Sequence, residues 1–298
     1  MKTDSLKGHP SHLRKYTTWL KRQPVTDATR RSYTSRVGQF LEYLTESEED
    51  LDALLESDRE LSHVLRSYKR HLKVKSKLKP STVNAHLTAL DHFIQHKGIE
   101  PPELPREDLP QLAPRALSKD EQKRFLRAVA GLRRSLDRAI NLLLFYTGIR
   151  IGECAALNVD DVLLVGRKNI VIVRSGKNDN YREIPLNKDL VEALRAWVKD
   201  RKRRESTENE PAFFLNPQGR RISTAGIDAI VRKAGDACGL PISAHILRHT
   251  LLTNLVRKGN DLVLVAEIGG HRKLETTRRY TLPSAGDKER AIAELLDE

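Results

Sequence analysis

The 298 residues, 39% of them hydrophobic, suffice for two domains with cores of their own, which need no disulfide or metal to fold. With 53 Lys and Arg against 40 Asp and Glu, the formal charge of +13 favours a polyanionic partner, either nucleic acid or an acidic membrane surface. No apolar run approaches the ~18 residues of a membrane span, the start MKTDSLKGHPSHLRK lacks the apolar stretch of a signal peptide, and Cys154 and Cys238 have no metal-ligand spacing, so a cytoplasmic chain with no disulfide, metal or membrane is expected.

Residues 1–100 read as a bundle of helices without a strand. In ATRRSYTSRVGQFLEYL, Tyr33, Val37, Phe40, Leu41 and Leu44 recur at helical spacing while Arg30, Arg31 and Arg36 fall on other faces. One face therefore packs and another is basic. An acidic helical stretch, EEDLDALLES, precedes LSHVLRSYKRHLKVKSKLK; Pro80 and Ser81 then open a helix with Val83, Leu87, Leu90 and Ile94 as its apolar stripe. The five lysines from Lys69 to Lys79 suit either a solvated face or phosphate contacts. Residues 101–115, PPELPREDLPQLAPR, hold five prolines, which neither continue a helix nor pair in a sheet, and read as the domain linker.

The second domain, residues 116–298, opens with Ser118 and Glu121 at the spacing of a capping box. LDRAINLLLFY, residues 136–146, is the most apolar helical stretch and reads as the core helix; it stops at Gly148 and presents Arg150 at the edge of the core. NIVIV at 169–173 and REIPL at 182–186 read as two strands of a hairpin that carries Lys177 near its tip. Helical patterns follow at 188–203 and, after a Ser223 cap, at 224–236. On a helix over 243–258, His245, Arg248 and His249 stand at i, i+3 and i+4, so an imidazole and a guanidinium share one face as an anion clamp with a base beside it. Gly269 and Gly270 break the chain before His271, and Tyr280 comes nine residues later on a short helical pattern begun by Leu274, placed to attack phosphorus. Each residue also has a structural explanation: a surface or capping HxxRH, a paired Arg150, an exposed turn lysine at 177. The tail DKERAIAELLDE places Ala291, Ile292, Leu295 and Leu296 on one apolar side.

Read together, TGIRIGE at 147–153, SGK at 175–177 before YREIPL, HILRHT at 245–250 and GGH at 269–271 with Tyr280 beyond resemble the tyrosine recombinase (phage integrase) family, of Xer-like type, in order and spacing. RRSYTSRVGQFLEYL and STVNAHLTALDHFI resemble its helical, SAM-like core-binding domain. The resemblance implies a mainly α fold with a small antiparallel β-sheet, arranged as a two-domain clamp on DNA. It implies Arg150 and Arg248 as the arginine pair, Lys177 as the hairpin lysine, His245 and His271 as the histidine positions and Tyr280 as the nucleophile. Glu153 is then the acidic support of Arg150, and His249 a structural second histidine. Ile246, Gly269 and the sequence SGKNDNYR depart from the commonest family residues.

The chemistry accounts for these residue types. Two guanidiniums on the non-bridging oxygens stabilise the transition state of a charged phosphodiester. The tyrosine, with a pKa of about 10, must lose its proton, for which His245 is the natural acceptor or organiser, and Lys177 would protonate the departing 5′ oxygen. A 3′-phosphotyrosyl link conserves the bond for rejoining, with no metal or nucleotide cofactor. The expected partner is double-stranded DNA with inverted-repeat core sites, bound by a chain that is monomeric in free solution and forms a homotetramer on two duplexes, with any accessory protein unidentified. Integration, transposition or resolution through a Holliday junction would be the purpose, and the terminal segment would dock either on a neighbouring protomer or back on its own domain. Alternatives are a type IB topoisomerase-like enzyme and a non-catalytic architectural or regulatory DNA-binding factor. With 5% aromatic residues, stacking on single strands has little support.

Overall fold

The computed structural model describes residues 9–109, 113–166, 168–174, 181–203, 210–271 and 274–282. It divides into two compact units, Met1–Pro110 and Gln111–Glu298. The fold is mainly helical with one small antiparallel sheet. No helix among the described residues is long and apolar enough to cross a membrane.

The first unit consists of α1 (His9–Leu20), α2 (Asp27–Glu46), α3 (Leu51–Leu55), α4 (Asp58–Val74) and α5 (Pro80–His96). Thr26, Asp50 and Ser57 cap α2, α3 and α4 with side-chain oxygens, and Pro80 starts α5 where its missing N–H is not needed. The apolar stripes meet in one core that includes Tyr16, Phe40, Tyr68, Leu87 and Phe93. Arg30 is partly withdrawn from the basic face: it donates to the Leu20 and Gln23 carbonyls and to Asp27. Within the proline-rich segment, Leu104 joins this core, while Glu107 pairs with Lys69 at 2.8 Å and Lys73 at 2.7 Å. Two of the lysines of the basic run are thus engaged, whereas Lys75, Lys77 and Lys79 are exposed.

The second unit begins with α6 (Lys119–Ala130), whose capping box is formed by Ser118 and Glu121. The apolar stretch becomes α7 (Ser135–Thr147), with Ala139, Ile140, Leu143 and Leu144 fully buried. After α8 (Ile151–Ala156) come β1 (Val162–Val165), β2 (Lys168–Arg174) and β3 (Tyr181–Pro185), in the order β1-β2-β3. Val162 faces Val171, which faces Ile184, so period-two alternation sends these side chains to the core. Strand β1 has no counterpart among the two strands expected from sequence. It has four residues, with Leu163 and Val165 exposed, and as an edge strand it is defined by its pairing rather than by a local pattern.

Helices α9 (Lys188–Lys202), α10 (Thr224–Ala237) and α11 (Ala244–Arg257) pack around α7. Trp197 fills the interior and donates from Nε1 to the Phe213 carbonyl at 3.0 Å. The chain then forms α12 (Leu262–Gly269), α13 (Leu274–Arg278) and a 3₁₀ turn over Arg279–Thr281. That turn and α12 both lie on α11, where Leu252, Val265 and Tyr280 make a small core of their own.

Candidate active site

Helix α11 starts at Ser243, whose side chain accepts from the Ile246 N–H, and this cap sets the phase of the helix. Arg248 points inward with 3% of its surface exposed; its Nη1 donates to the Gly148 carbonyl at 2.6 Å, and its Nη2 to the Gly269 carbonyl and to His271 Nε2 at 2.8 Å. A buried guanidinium is tolerable only with such partners. Burial first, and the charge of Arg150 second, lower its pKa to about 10, which leaves it charged at neutral pH.

Because Arg248 can only donate, Nε2 of His271 is an acceptor; its Nδ1 must then carry the proton, which it donates to Thr277 Oγ1 at 2.7 Å. Burial and the surrounding arginines, Arg248 foremost, hold His271 neutral with a pKa of about 4.

Tyr280 is 5% exposed, and its ring lies parallel to that of His271 with centroids 6.0 Å apart. Its hydroxyl is 2.8 Å from Nδ1 of His249, which is itself 9% exposed. Burial, then His245 and the arginines, bring His249 to about 4, so it is a neutral acceptor. Burial raises the Tyr280 pKa while Arg248, Arg279 and Arg150 pull it back, so the phenol is the donor. The histidine that accepts from the tyrosine hydroxyl is therefore His249, to which the sequence motif assigns only a structural part. His245 is exposed and packs its ring edge-on against His249 at 4.6 Å. Its pKa is lowered first by the partial desolvation of the ring where it meets its neighbours, although the residue is exposed, and then by Arg248, Arg279 and Arg150.

Arg150 follows the end of α7, where Gly148 is left-handed at φ +60° and an added Cβ would stand 2.9 Å from Leu251 Cδ2. Only glycine turns the chain so close to α11 without strain. From there Arg150 donates Nη1 to Glu153 Oε1 at 2.9 Å, its backbone N–H to Oε2 at 2.7 Å, and Nη2 to the Gly270 carbonyl at 2.9 Å. Burial alone would raise the Glu153 pKa, but hydrogen bonds from Arg182 and the Arg150 backbone, with both guanidinium charges, take it below its ordinary value.

The structure thus brings Arg150 at the N-cap of α8, Glu153 on α8, His245, Arg248 and His249 on α11, His271 just beyond the end of α12 and Tyr280 in the turn after α13 into one region. Lys177 lies outside the described residues, as does the terminal segment. Sequence reasoning missed Thr277 and Arg182. Arg182 on β3 pairs through Nη1 and Nη2 with Glu153 at 3.1 and 2.8 Å. Nothing local marks it, because its partner is 29 residues away in sequence. Among the described residues no group of three or more His, Cys, Asp or Glu side chains is arranged to hold a metal ion.

Comparison with known proteins places this arrangement. Residues 115–286 match the model of the phage integrase family. Tyrosine recombinase XerA of Thermococcus kodakarensis is 29% identical over 303 residues, covering 96% of this chain and 98% of that protein. A crystal structure of XerA recombinase aligns with a TM-score of 0.53 at 26% identity, over 95% of this chain and 98% of that one. In fold, the chain is also similar to XerH site-specific recombinase bound to a palindromic difH substrate in a post-cleavage complex, with a TM-score of 0.71 at 22% identity over 90% and 80% of the two chains. With the family model spanning most of the second unit and a relative matching nearly the whole length, the chain belongs to the phage integrase family as a Xer-like tyrosine recombinase, an enzyme of site-specific DNA recombination.

Proposed function

We propose that the chain cleaves and rejoins duplex DNA with Tyr280 as the nucleophile, Arg150 and Arg248 as the phosphate-binding pair, and His271, His245 and Glu153 in support. The observation that carries this reading is the convergence of Arg248, His271, His249 and Tyr280, with the tyrosine hydroxyl bonded to a neutral imidazole and its ring parallel to His271. The guanidiniums stabilise the charge of the transition state as the Tyr280 oxygen bonds to phosphorus and the bond to the 5′ oxygen breaks. Lys177 supplies the proton for that oxygen, leaving a 3′-phosphotyrosyl link that another strand's 5′ hydroxyl reverses. His249 receives the tyrosine's hydrogen bond and holds the hydroxyl before attack, and the phenolic proton leaves to His245 as the oxygen bonds to phosphorus.

The partner is double-stranded DNA with inverted repeats. The palindromic DNA in the XerH complex is consistent with this, as is the net charge of +13. Exchange of both strands of two duplexes needs four cleavages, hence four protomers, assembled from a chain that is monomeric when free. The test is covalent trapping on a duplex selected by binding from randomised inverted repeats, and nicked beside the mapped cleavage point. The wild-type chain should form a protein–DNA adduct, and Tyr280→Phe should bind the same duplex but form none. An adduct with Tyr280→Phe, or one mapped to Tyr181, overturns the assignment.

A further inference from the structure

Strand β3 brings a third guanidinium to the site. Arg182 has a side chain only 11% exposed, and it grips the Glu153 carboxylate, 13% exposed, with both Nη atoms. Its Nε donates to the Ile268 carbonyl at 3.0 Å. Each of the three guanidinium nitrogens thereby has a defined acceptor, as expected of an arginine that locates a carboxylate rather than a solvated charge. Space confirms the fit: a Cβ on Gly270, which is left-handed at φ +60°, would stand 2.6 Å from Arg182 Nη1 and 2.8 Å from Cζ.

The three arginines share one scaffold. Successive carbonyls at the end of α12 accept from different guanidiniums: Ile268 from Arg182, Gly269 from Arg248 and Gly270 from Arg150. The last carbonyls of a helix have no partner within it and carry the negative end of its dipole, so they suit this use. Glu153 then presents an electrostatic problem. A carboxylate beside Arg150 orients it, yet alone it would cancel that guanidinium's charge and repel an incoming phosphate. Arg182 offsets the carboxylate, so the trio of Arg150, Glu153 and Arg182 keeps a net positive charge, on the side where Arg150, with 45% of its side chain exposed, faces solvent.

We infer that Arg182 is a positioning residue for strand cleavage: its bidentate grip fixes and neutralises Glu153, so that Glu153 aims Arg150 while leaving the Arg150 charge to the scissile phosphate. The inference rests on the reading of Arg150 as a phosphate-binding residue.

The test is single-turnover adduct formation by the full chain at saturating selected duplex. It compares ordinary DNA with a methylphosphonate at the cleaved position, in which a neutral methyl replaces one non-bridging oxygen. Arg182→Gln should slow adduct formation on ordinary DNA by about 10²-fold, the size of one lost preorganised charge contact, with the DNA dissociation constant within about threefold of wild type. On the methylphosphonate the deficit should shrink to less than about tenfold, because less charge has to be neutralised. Arg182→Lys, which keeps the charge but not the fork, should fall between wild type and Arg182→Gln. A wild-type rate for Arg182→Gln on ordinary DNA, or an equal deficit on both substrates, overturns the inference.

The double variant Glu153→Gln with Arg182→Gln removes the stranded buried carboxylate and guards against misfolding of the single one. It should cleave faster than Arg182→Gln, and a rate no higher counts against the charge argument. Arg150→Gln separates the two levels. If the methylphosphonate does not relieve Arg150→Gln, the reading of Arg150 itself fails; if it relieves Arg150→Gln but not Arg182→Gln, only the role of Arg182 falls.

Discussion

Replacing His249 by leucine would remove the acceptor of the nucleophile's hydrogen bond while keeping a side chain of similar bulk. The bond is 2.8 Å long between groups 9% and 5% exposed, so water is poorly placed to substitute. Leaving a buried hydroxyl without its partner costs about 1–3 kcal/mol. If that cost falls on placement of the attacking oxygen, adduct formation should slow by about 5- to 150-fold. The measurement is the single-turnover rate on the nicked duplex at saturating DNA, alongside the dissociation constant, which should hold because the imidazole is buried in its own domain. His249→Asn, whose Oδ1 takes nearly the place of Nδ1, should recover most of the rate. A His249→Leu rate within about twofold of wild type, or no difference between the leucine and asparagine variants, would refute the reasoning.

Acid stability follows most strongly from the two histidines lowered to about 4. His249 and His271 lie at about 4 in the folded chain against an ordinary value of 6.5, chiefly through burial, so between those values the unfolded chain binds more protons. The melting temperature should reach its plateau above pH 6.5 and fall as pH drops toward 4, less steeply in His249→Asn; a flat profile in all variants would contradict this. Gly148→Ala forces a left-handed alanine whose Cβ stands 2.9 Å from Leu251 Cδ2. It should cost about 1–3 kcal/mol, seen as a lower melting temperature, and an unchanged one would contradict the strain. Lys177→Ala should cleave ordinary DNA poorly and a 5′-bridging phosphorothiolate much better, since a thiolate leaves without a proton; equal defects on both would reduce Lys177 to a DNA contact. DNA affinity should drop by about 10³-fold or more between low and moderate salt if six or more phosphates are contacted, and a nearly flat response would contradict the charged interface.

Features carried by short-range chemistry could be read from the sequence by itself. The Ser118–Glu121 capping box, the helix stop at Gly148, the apolar stripe of α5 and the phase of His245, Arg248 and His249 on α11 each depend on neighbours within a few positions, so backbone periodicity and hydrogen-bonding needs suffice to place them. The family followed from motifs in order, since that order is itself a property of the chain. Tertiary structure decided the rest. Two imidazoles one helical turn apart look alike in sequence, and only the docking of the turn at Arg279–Thr281 onto α11 gives the Tyr280 hydroxyl to His249 while His245 stays exposed. Likewise, an arginine on a short strand carries no local mark of function. Arg182 acquires its meaning when the folded chain sets β3 beside Glu153 and the last carbonyls of α12, because a buried charge is defined by whatever long-range partners compensate it.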